Sequence, residues 1–228
     1  MASQANARTS SRISLSASTL RLYRECPRCF WRHLNQGVER PRGPFPSLPS
    51  GMDAVLKRYF DTYRKQGTLP PLIDGKLRGT LMSGLLNLEF VDPDGEARLF
   101  GKLDDCLVLP DGRHAPLDHK TRASAPEGVA YTEKYYQLQM DVYSLLLQRN
   151  GYPISRTAVV VYYYPQPGAL HEGFPFGVAI HEVATDPDSA SRIFEAARAL
   201  LGGPMPNAGR ECEYCQWLTA CQTRPHAD

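Results

Sequence analysis

The stretch Leu99-Phe-Gly-Lys-Leu-Asp-Asp-Cys-Leu-Val-Leu-Pro-Asp-Gly-Arg-His-Ala-Pro-Leu-Asp-His-Lys-Thr-Arg122 decides the fold. It reads as a β-hairpin: a strand ending at Leu109, a turn at Pro110-Asp111-Gly112, and a return strand from Arg113 to Lys120. A three-residue loop whose last residue is left-handed suits Gly112. That loop pairs Leu109 with Arg113, and therefore Asp104 with Asp118. Leu103 and Leu117 then share the other face with Leu107 and Leu109, as a core face requires. A two-residue loop would pair Asp105 with Asp118 and bring Leu103 round to the acidic side. The hydrophobic pattern prefers the first register, with Asp105 as runner-up to Asp104. Asp118 and Lys120 are two apart, so they point to the same side of their strand. A carboxylate beside an ammonium is often a plain surface ion pair. It can also be half of a metal-dependent phosphodiesterase site.

The bulk numbers bound the rest. A chain of 228 residues suits one domain with appendages. Its 42% hydrophobic and 22% charged residues make an ordinary globular composition. The net charge of +2 says little about partners, because a nucleic-acid binder need only cluster its basic groups on one face. No apolar run approaches the roughly 20 residues of a membrane span, so no membrane partner is expected. Residues 1–14 lack the apolar core of a secretory signal and read as a disordered Ser/Arg-rich tail, which points to a cytoplasmic protein. Six cysteines stand at positions 26, 29, 106, 212, 215 and 221. Without a secretory signal, disulfides are disfavoured; clustering at the two ends of the chain favours metal binding.

Outside the hairpin the chain alternates helix and strand signals. Ser16 or Ser18 can cap a helix that runs to Cys26-Pro27-Arg28-Cys29, where Pro27 interrupts or restarts it. Ser50 is placed to cap a helix ending near Gly67. On it Met52, Val55, Leu56, Tyr59, Phe60 and Tyr63 form an apolar stripe, and Asp53 borders that stripe in the first turn. There Asp53 is either an acid favoured by the helix dipole or a carboxylate aimed inward at a metal. Residues 72–110 read as successive strands, 131–150 as a long helix stopped by Gly151, and 157–164 and 176–183 as two more strands. A last helix follows from Pro187 to about Leu201. Residues 15–203 form the expected domain, and 204–228 a cysteine-rich segment that packs on the N-terminal helix.

Phosphodiester hydrolysis needs an activated water and neutralised charge on the phosphate. Mg²⁺ or Mn²⁺ held by carboxylates supplies much of this, and a nearby lysine can orient the water. Gly101-Lys102-Leu103-Asp104, then Leu117-Asp118-His119-Lys120, then Gln139-Met140-Asp141-Val142-Tyr143 supply such groups in order. This order resembles the PD-(D/E)XK nuclease superfamily, and within it the RecB-like branch. The tail Cys212-X₂-Cys215-X₅-Cys221, with Cys26-Pro27-Arg28 upstream, resembles the AddB-type and CRISPR-associated iron–sulfur nucleases.

The resemblance implies an α/β, restriction-endonuclease-like core: a central mixed β-sheet flanked by helices, with the termini joined by a four-cysteine metal site. It implies that Asp104 and Asp118 hold Mg²⁺ or Mn²⁺, that Asp53 stands where the family usually has a histidine ligand, and that Lys120 orients the attacking water. Gln139 and Tyr143 would position substrate. A [4Fe–4S] cluster would take Cys26, Cys212, Cys215 and Cys221, leaving Cys29 as a small buried hydrophobe and Cys106 in the core. Four thiolates could equally hold Zn²⁺. The implied activity is a metal-dependent deoxyribonuclease, an exonuclease on single-stranded DNA or ends, with repair, recombination or CRISPR adaptation proteins as partners. The alternative is a non-catalytic DNA-binding or assembly subunit that keeps the fold. Arg28, Arg32, Arg122 and Lys134 are candidate phosphate contacts. His119 should face away from Asp118 and Lys120.

Overall fold

The computed structural model describes residues 12–41, 43, 47–84, 86–170 and 173–223. Most of the expected N-terminal tail, residues 1–11, lies outside them. Five strands form a mixed sheet in the order β2 (Thr80–Leu81), β5 (Asp105–Val108), β6 (His114–Thr121), β7 (Thr157–Pro165) and β8 (Phe176–Ala184). Only β6 and β7 pair in parallel, and the chain crosses between them through helix α4 (Val129–Arg149). A parallel pair needs such a crossover, so the long helix is what brings β7 alongside the aspartate strand. A second, three-stranded sheet has the order β1 (Ile13–Leu15), β4 (Ala97–Leu103) and β3 (Leu86–Val91).

The five-stranded sheet is covered on both faces. On β7, Val160 and Tyr162 face one core with Phe194 and the buried side of α4, while Val159, Val161 and Tyr163 face a second core around Phe60. Burial on both sides is why this strand reads as an unbroken apolar run. The first core takes α1 (Ala17–Glu25), α2 (Pro27–Gln36) and α5 (Pro187–Leu201); the second takes α3 (Ser47–Gln66). Ser16 caps α1 through the Thr19 amide, and Cys26 closes that helix and caps the next, with Pro27 in its first turn. The last helix, α6 (Glu213–Thr223), follows Cys212.

The hairpin takes the three-residue loop. The Leu109 amide donates to the Arg113 carbonyl at 2.8 Å, and Gly112 has φ 80°. Asp105 lies opposite Leu117, which sets Asp104 opposite Asp118. One expectation fails. The first strand is not continuous but breaks at Asp104, where the chain passes from the three-stranded sheet to the five-stranded one. Leu103 therefore packs in the first core, away from Leu107 and Leu117 in the second. The kink changes which core the alternate residues meet. Two smaller differences concern boundaries. Helix α3 starts at Ser47, because Pro49 in its first turn needs no amide partner, so Asp53 sits in the second turn. Residues 72–77 form turns and a bend rather than a strand.

Candidate active site and cysteine centre

Asp118 is the pivot of the site. Its side chain is 1% exposed. Gln139 Nε2 donates to Oδ1 at 2.9 Å, and Lys120 Nζ lies 2.6 Å from Oδ2. The lysine ammonium is thus the charged neighbour of this buried oxygen. Burial pushes the Asp118 carboxyl up from the ordinary range. Lys120 opposes that, and Asp104 adds to it by like-charge repulsion. A buried carboxylate beside a second one is a pair of hard oxygen donors, which suits a hard cation.

Helix α4 supplies the wall. The Gln139 amide spends its second hydrogen on the Tyr143 hydroxyl at 2.9 Å, and that hydroxyl donates to the Lys102 carbonyl at 3.3 Å. Gln139 and Tyr143 thus link the two aspartate strands. The helix can come this close because β4 has a glycine where it passes: a Cβ on Gly101 would stand 2.8 Å from Leu146 Cδ1 and 3.1 Å from Tyr143 Cε1.

The remaining carboxylates divide. Asp104 is half-buried, with its Oδ2 3.4 Å from the His119 amide. Asp105, the runner-up, points the other way into the second core. Arg64 Nη2 and Nε lie 2.6 and 2.8 Å from its Oδ1, and His119 Nε2 lies 3.0 Å from Oδ2. His119 also meets the Tyr163 hydroxyl at 2.9 Å and packs on Phe60, away from Asp118 and Lys120. Asp53 is half-exposed and paired with Lys57 at 2.8 Å. It does not converge with Asp104 and Asp118 into a set of mutually close ligand atoms. Lys57 is held charged first by that Asp53 contact and also by the field of Asp104, so the lysine stands between the two acids electrostatically.

At the chain's ends, the thiols of Cys26, Cys29, Cys212 and Cys215 lie within 4.8 Å of one another. Cys221, expected as the fourth ligand, is exposed and outside this group, and Cys29 takes its place. Helical geometry explains the exchange. Cys26 and Cys29, like Cys212 and Cys215, bracket the first turn of a helix, so each pair projects together. Cys221 stands six residues beyond Cys215, about 240° round α6. The Cys26–Cys215 sulfurs are 3.8 Å apart, and the Cys29 sulfur lies 3.6 Å from those of both Cys212 and Cys215. Burial alone would raise the Cys26 thiol, but the amides of Gly209 and Cys29 outweigh it and bring it down to about 6. The Arg40 guanidinium sits 3.6 Å from the Cys212 sulfur. The clasp is completed by Arg28 on the Pro206 carbonyl and by Trp31 on the Gly203 carbonyl. Cys106 is buried in the first core, its thiol pushed up to about 12 by burial.

The family model of the PD-(D/E)XK nuclease superfamily matches residues 76–222, more than half of the sequence. The chain belongs to the PD-(D/E)XK nuclease superfamily. Two solved structures are similar at low identity. SSO0001 is 15% identical with a TM-score of 0.45, over 94% of this chain and 88% of that one. A phage-related exonuclease from Haemophilus somnus 129PT is 13% identical with a TM-score of 0.40, over 90% and 83%. No curated protein matches the sequence.

For a PD-(D/E)XK protein, the part hidden from sequence reasoning is the support behind the aspartates. Arg64 had a usable signal: it follows Phe60 by four residues and so shares its inward helix face. Cys29 had the Cys-X₂-Cys spacing. Arg40 lies in a loop where nothing local marks it.

Proposed function

We propose that this superfamily member is a divalent-metal-dependent deoxyribonuclease that acts as an exonuclease on single strands or DNA ends. The observation that carries the reading is Asp118: buried, gripped by Gln139 on one oxygen and Lys120 on the other, and opposite Asp104. Asp104 and Asp118 would hold Mg²⁺ or Mn²⁺, with Asp53 completing the set after releasing Lys57. When bound, the ion supplies an activated water and neutralises charge on the scissile phosphate. The chain's own residues do the rest. Lys120, fixed by Asp118, presents its ammonium where it can orient a water and stabilise developing negative charge. Gln139 and Tyr143 hold Asp118 in register with the first aspartate strand. Helix α4 closes the site on one side.

The half-exposed Asp53–Lys57 pair favours a second reading, a DNA-binding subunit that has lost hydrolysis. Digestion of single-stranded and end-labelled duplex DNA with Mg²⁺ or Mn²⁺ separates the two. The nuclease reading expects cleavage that Lys120→Ala abolishes. Binding without cleavage, indifferent to Lys120→Ala and Asp118→Ala, would establish the alternative.

At the cysteines the proposal is a structural metal staple. The resemblance supports a [4Fe–4S] cluster. The sulfur spacing favours a second reading, a single Zn²⁺: metal–sulfur bonds of about 2.3 Å set tetrahedral sulfurs roughly 3.8 Å apart. Thiolates that each bind a different iron of a cluster stand farther apart. Anaerobically purified protein decides it by colour and metal content, brown with iron for the cluster and colourless with zinc for the single ion.

A further inference from the structure

Behind Gln139 and Tyr143 lies a cavity of about 400 Å³ between the start of α1, the end of β4 and the outer turns of α4. Its lining is unlike the centre it adjoins. Asp118 and Asp104 make the centre acidic, whereas the charged residues lining the cavity, among the described residues, are Lys102 and Arg21, the latter paired with Glu25. Two aromatic rings stand on its rim with much of their surface in solvent, Phe100 at 40% and Tyr135 at 47% exposed. Phe100 and Lys102 are two apart on β4 and share a face. From Tyr135 the aromatic surface continues along α4 to Tyr131, whose ring centroid is 4.6 Å away. Over Tyr131 lies the Arg122 guanidinium at 3.7 Å. Its Nη1 is buried without a hydrogen-bond partner among the described residues. Arg122 follows Asp118 and Lys120 at the same two-residue step, so it extends the catalytic face of β6.

A ledge that alternates cations with exposed rings, and ends in a cavity lined by Lys102 and Arg21, has the features that bind unpaired nucleotides. The cations meet the backbone and the rings stack on bases, whose faces a duplex keeps buried against one another. Resting on the nuclease reading above, we propose that this cavity and ledge are the subsite for a single-stranded DNA segment beside the scissile phosphate. Bases stack on Tyr135 and Phe100, and phosphates meet Lys102. Gln139 and Tyr143 line this cavity, and Gln139 also holds Asp118.

The test uses the full chain, Ca²⁺ in place of Mg²⁺ to suppress cleavage, and a fluorescein-labelled oligothymidylate of roughly 16 nucleotides. Tyr135→Ala should weaken binding by about ten-fold, the loss of one stacked base, while Tyr135→Phe retains it. Lys102→Gln should reduce the slope of log affinity against log salt by about 0.7, one single-strand phosphate contact. Affinity for blunt duplex of the same length should change far less in both. Single-strand affinity indifferent to Tyr135→Ala, or equal losses in Tyr135→Ala and Tyr135→Phe, overturns the proposal. Hydrolysis of bis(p-nitrophenyl) phosphate by the wild-type protein with Mn²⁺ reports on the centre alone. Hydrolysis with ring-independent DNA binding removes the subsite and keeps the nuclease. Ring-dependent binding with no hydrolysis does the reverse.

Discussion

Replacing Gly101 with alanine tests the contact that joins the two halves of the site. The added Cβ would lie 2.8 Å from Leu146 Cδ1 and 3.1 Å from Tyr143 Cε1. The first is closer than packed carbons tolerate and the second is tight; Leu146 is fully buried and must shift among its neighbours, while Tyr143 borders the cavity beside α4. Overpacking of this kind costs about 1–3 kcal/mol. For a chain of this size that lowers the melting temperature by roughly 2–12 °C, at about 2–4 °C per kcal/mol. The strain should also reach function, because Tyr143 anchors Gln139 and Gln139 holds Asp118 Oδ1. Urea denaturation gives the stability, and the double variant with Leu146→Ala gives the cause. Leu146→Ala alone should cost about 2–5 kcal/mol through its cavity. Together the two changes should cost less than their sum, because the alanine methyl at 101 enters the space that Leu146 vacates. Additive losses, or a neutral Gly101→Ala, would refute the close approach of α4 to β4.

The other expectations concern charge and metal. Burial raises the Asp118 carboxyl, so its stabilising contribution is complete below the ordinary carboxylate pKa and is lost as pH rises through the raised one. In divalent-free buffer, Asp118→Asn should therefore melt above the parent at about pH 7.5, with the gap narrowing as the pH falls and the native carboxyl takes up its proton; a gap that widens on acidification contradicts this. Arg64→Ala should destabilise by about 3–5 kcal/mol in urea titration, because it leaves Asp105 buried without its cation. Metal content of cysteine variants identifies the fourth ligand: Cys29→Ser should lose bound metal and Cys221→Ser retain it, and the opposite pattern would place Cys221 in the loaded site.

The turn at Gly112 made the hairpin register legible, because only one loop length keeps Leu107 and Leu117 on one buried face. Helical spacing puts Gln139 and Tyr143 on one face of α4, and the resemblance implies their place beside the aspartates. What sequence reasoning missed was long-range. The kink at Asp104 depends on β4 pairing with β1 and β3 while β5 pairs with β6, and no local pattern records a change of sheet. Leu103 was therefore assigned to the wrong core. Cys221 was favoured over Cys29 by analogy of spacing, whereas helix phase in the folded chain brings Cys29 to the other three thiols. A cap at Ser50 puts Asp53 in the first turn, whereas the helix starts at Ser47 with Pro49 inside its first turn.

The same kink explains how two consecutive aspartates serve different ends. Successive residues on an extended strand face opposite sides, and at the junction of two sheets those sides lead to a solvent-accessible cleft and a closed core. Asp105 takes the core side and is matched there by Arg64, with His119 on its other oxygen. Asp104 is left for the cleft, its position fixed through the backbone. Arg64 Nη2 donates to the Asp104 carbonyl at 3.2 Å, and the His119 amide approaches the Asp104 carboxylate. One arginine thus neutralises the buried acid and holds the main chain of its neighbour. Arg64 belongs to α3, the helix that also carries Asp53 and Lys57. Its bonds to residues 104 and 105 therefore tie the position of that helix to the aspartate hairpin. The distance between Asp53 and the Asp104–Asp118 pair is then set by a buried ion pair rather than by the exposed contact of Asp53 with Lys57, which leaves the half-exposed carboxylate able to turn without moving its helix.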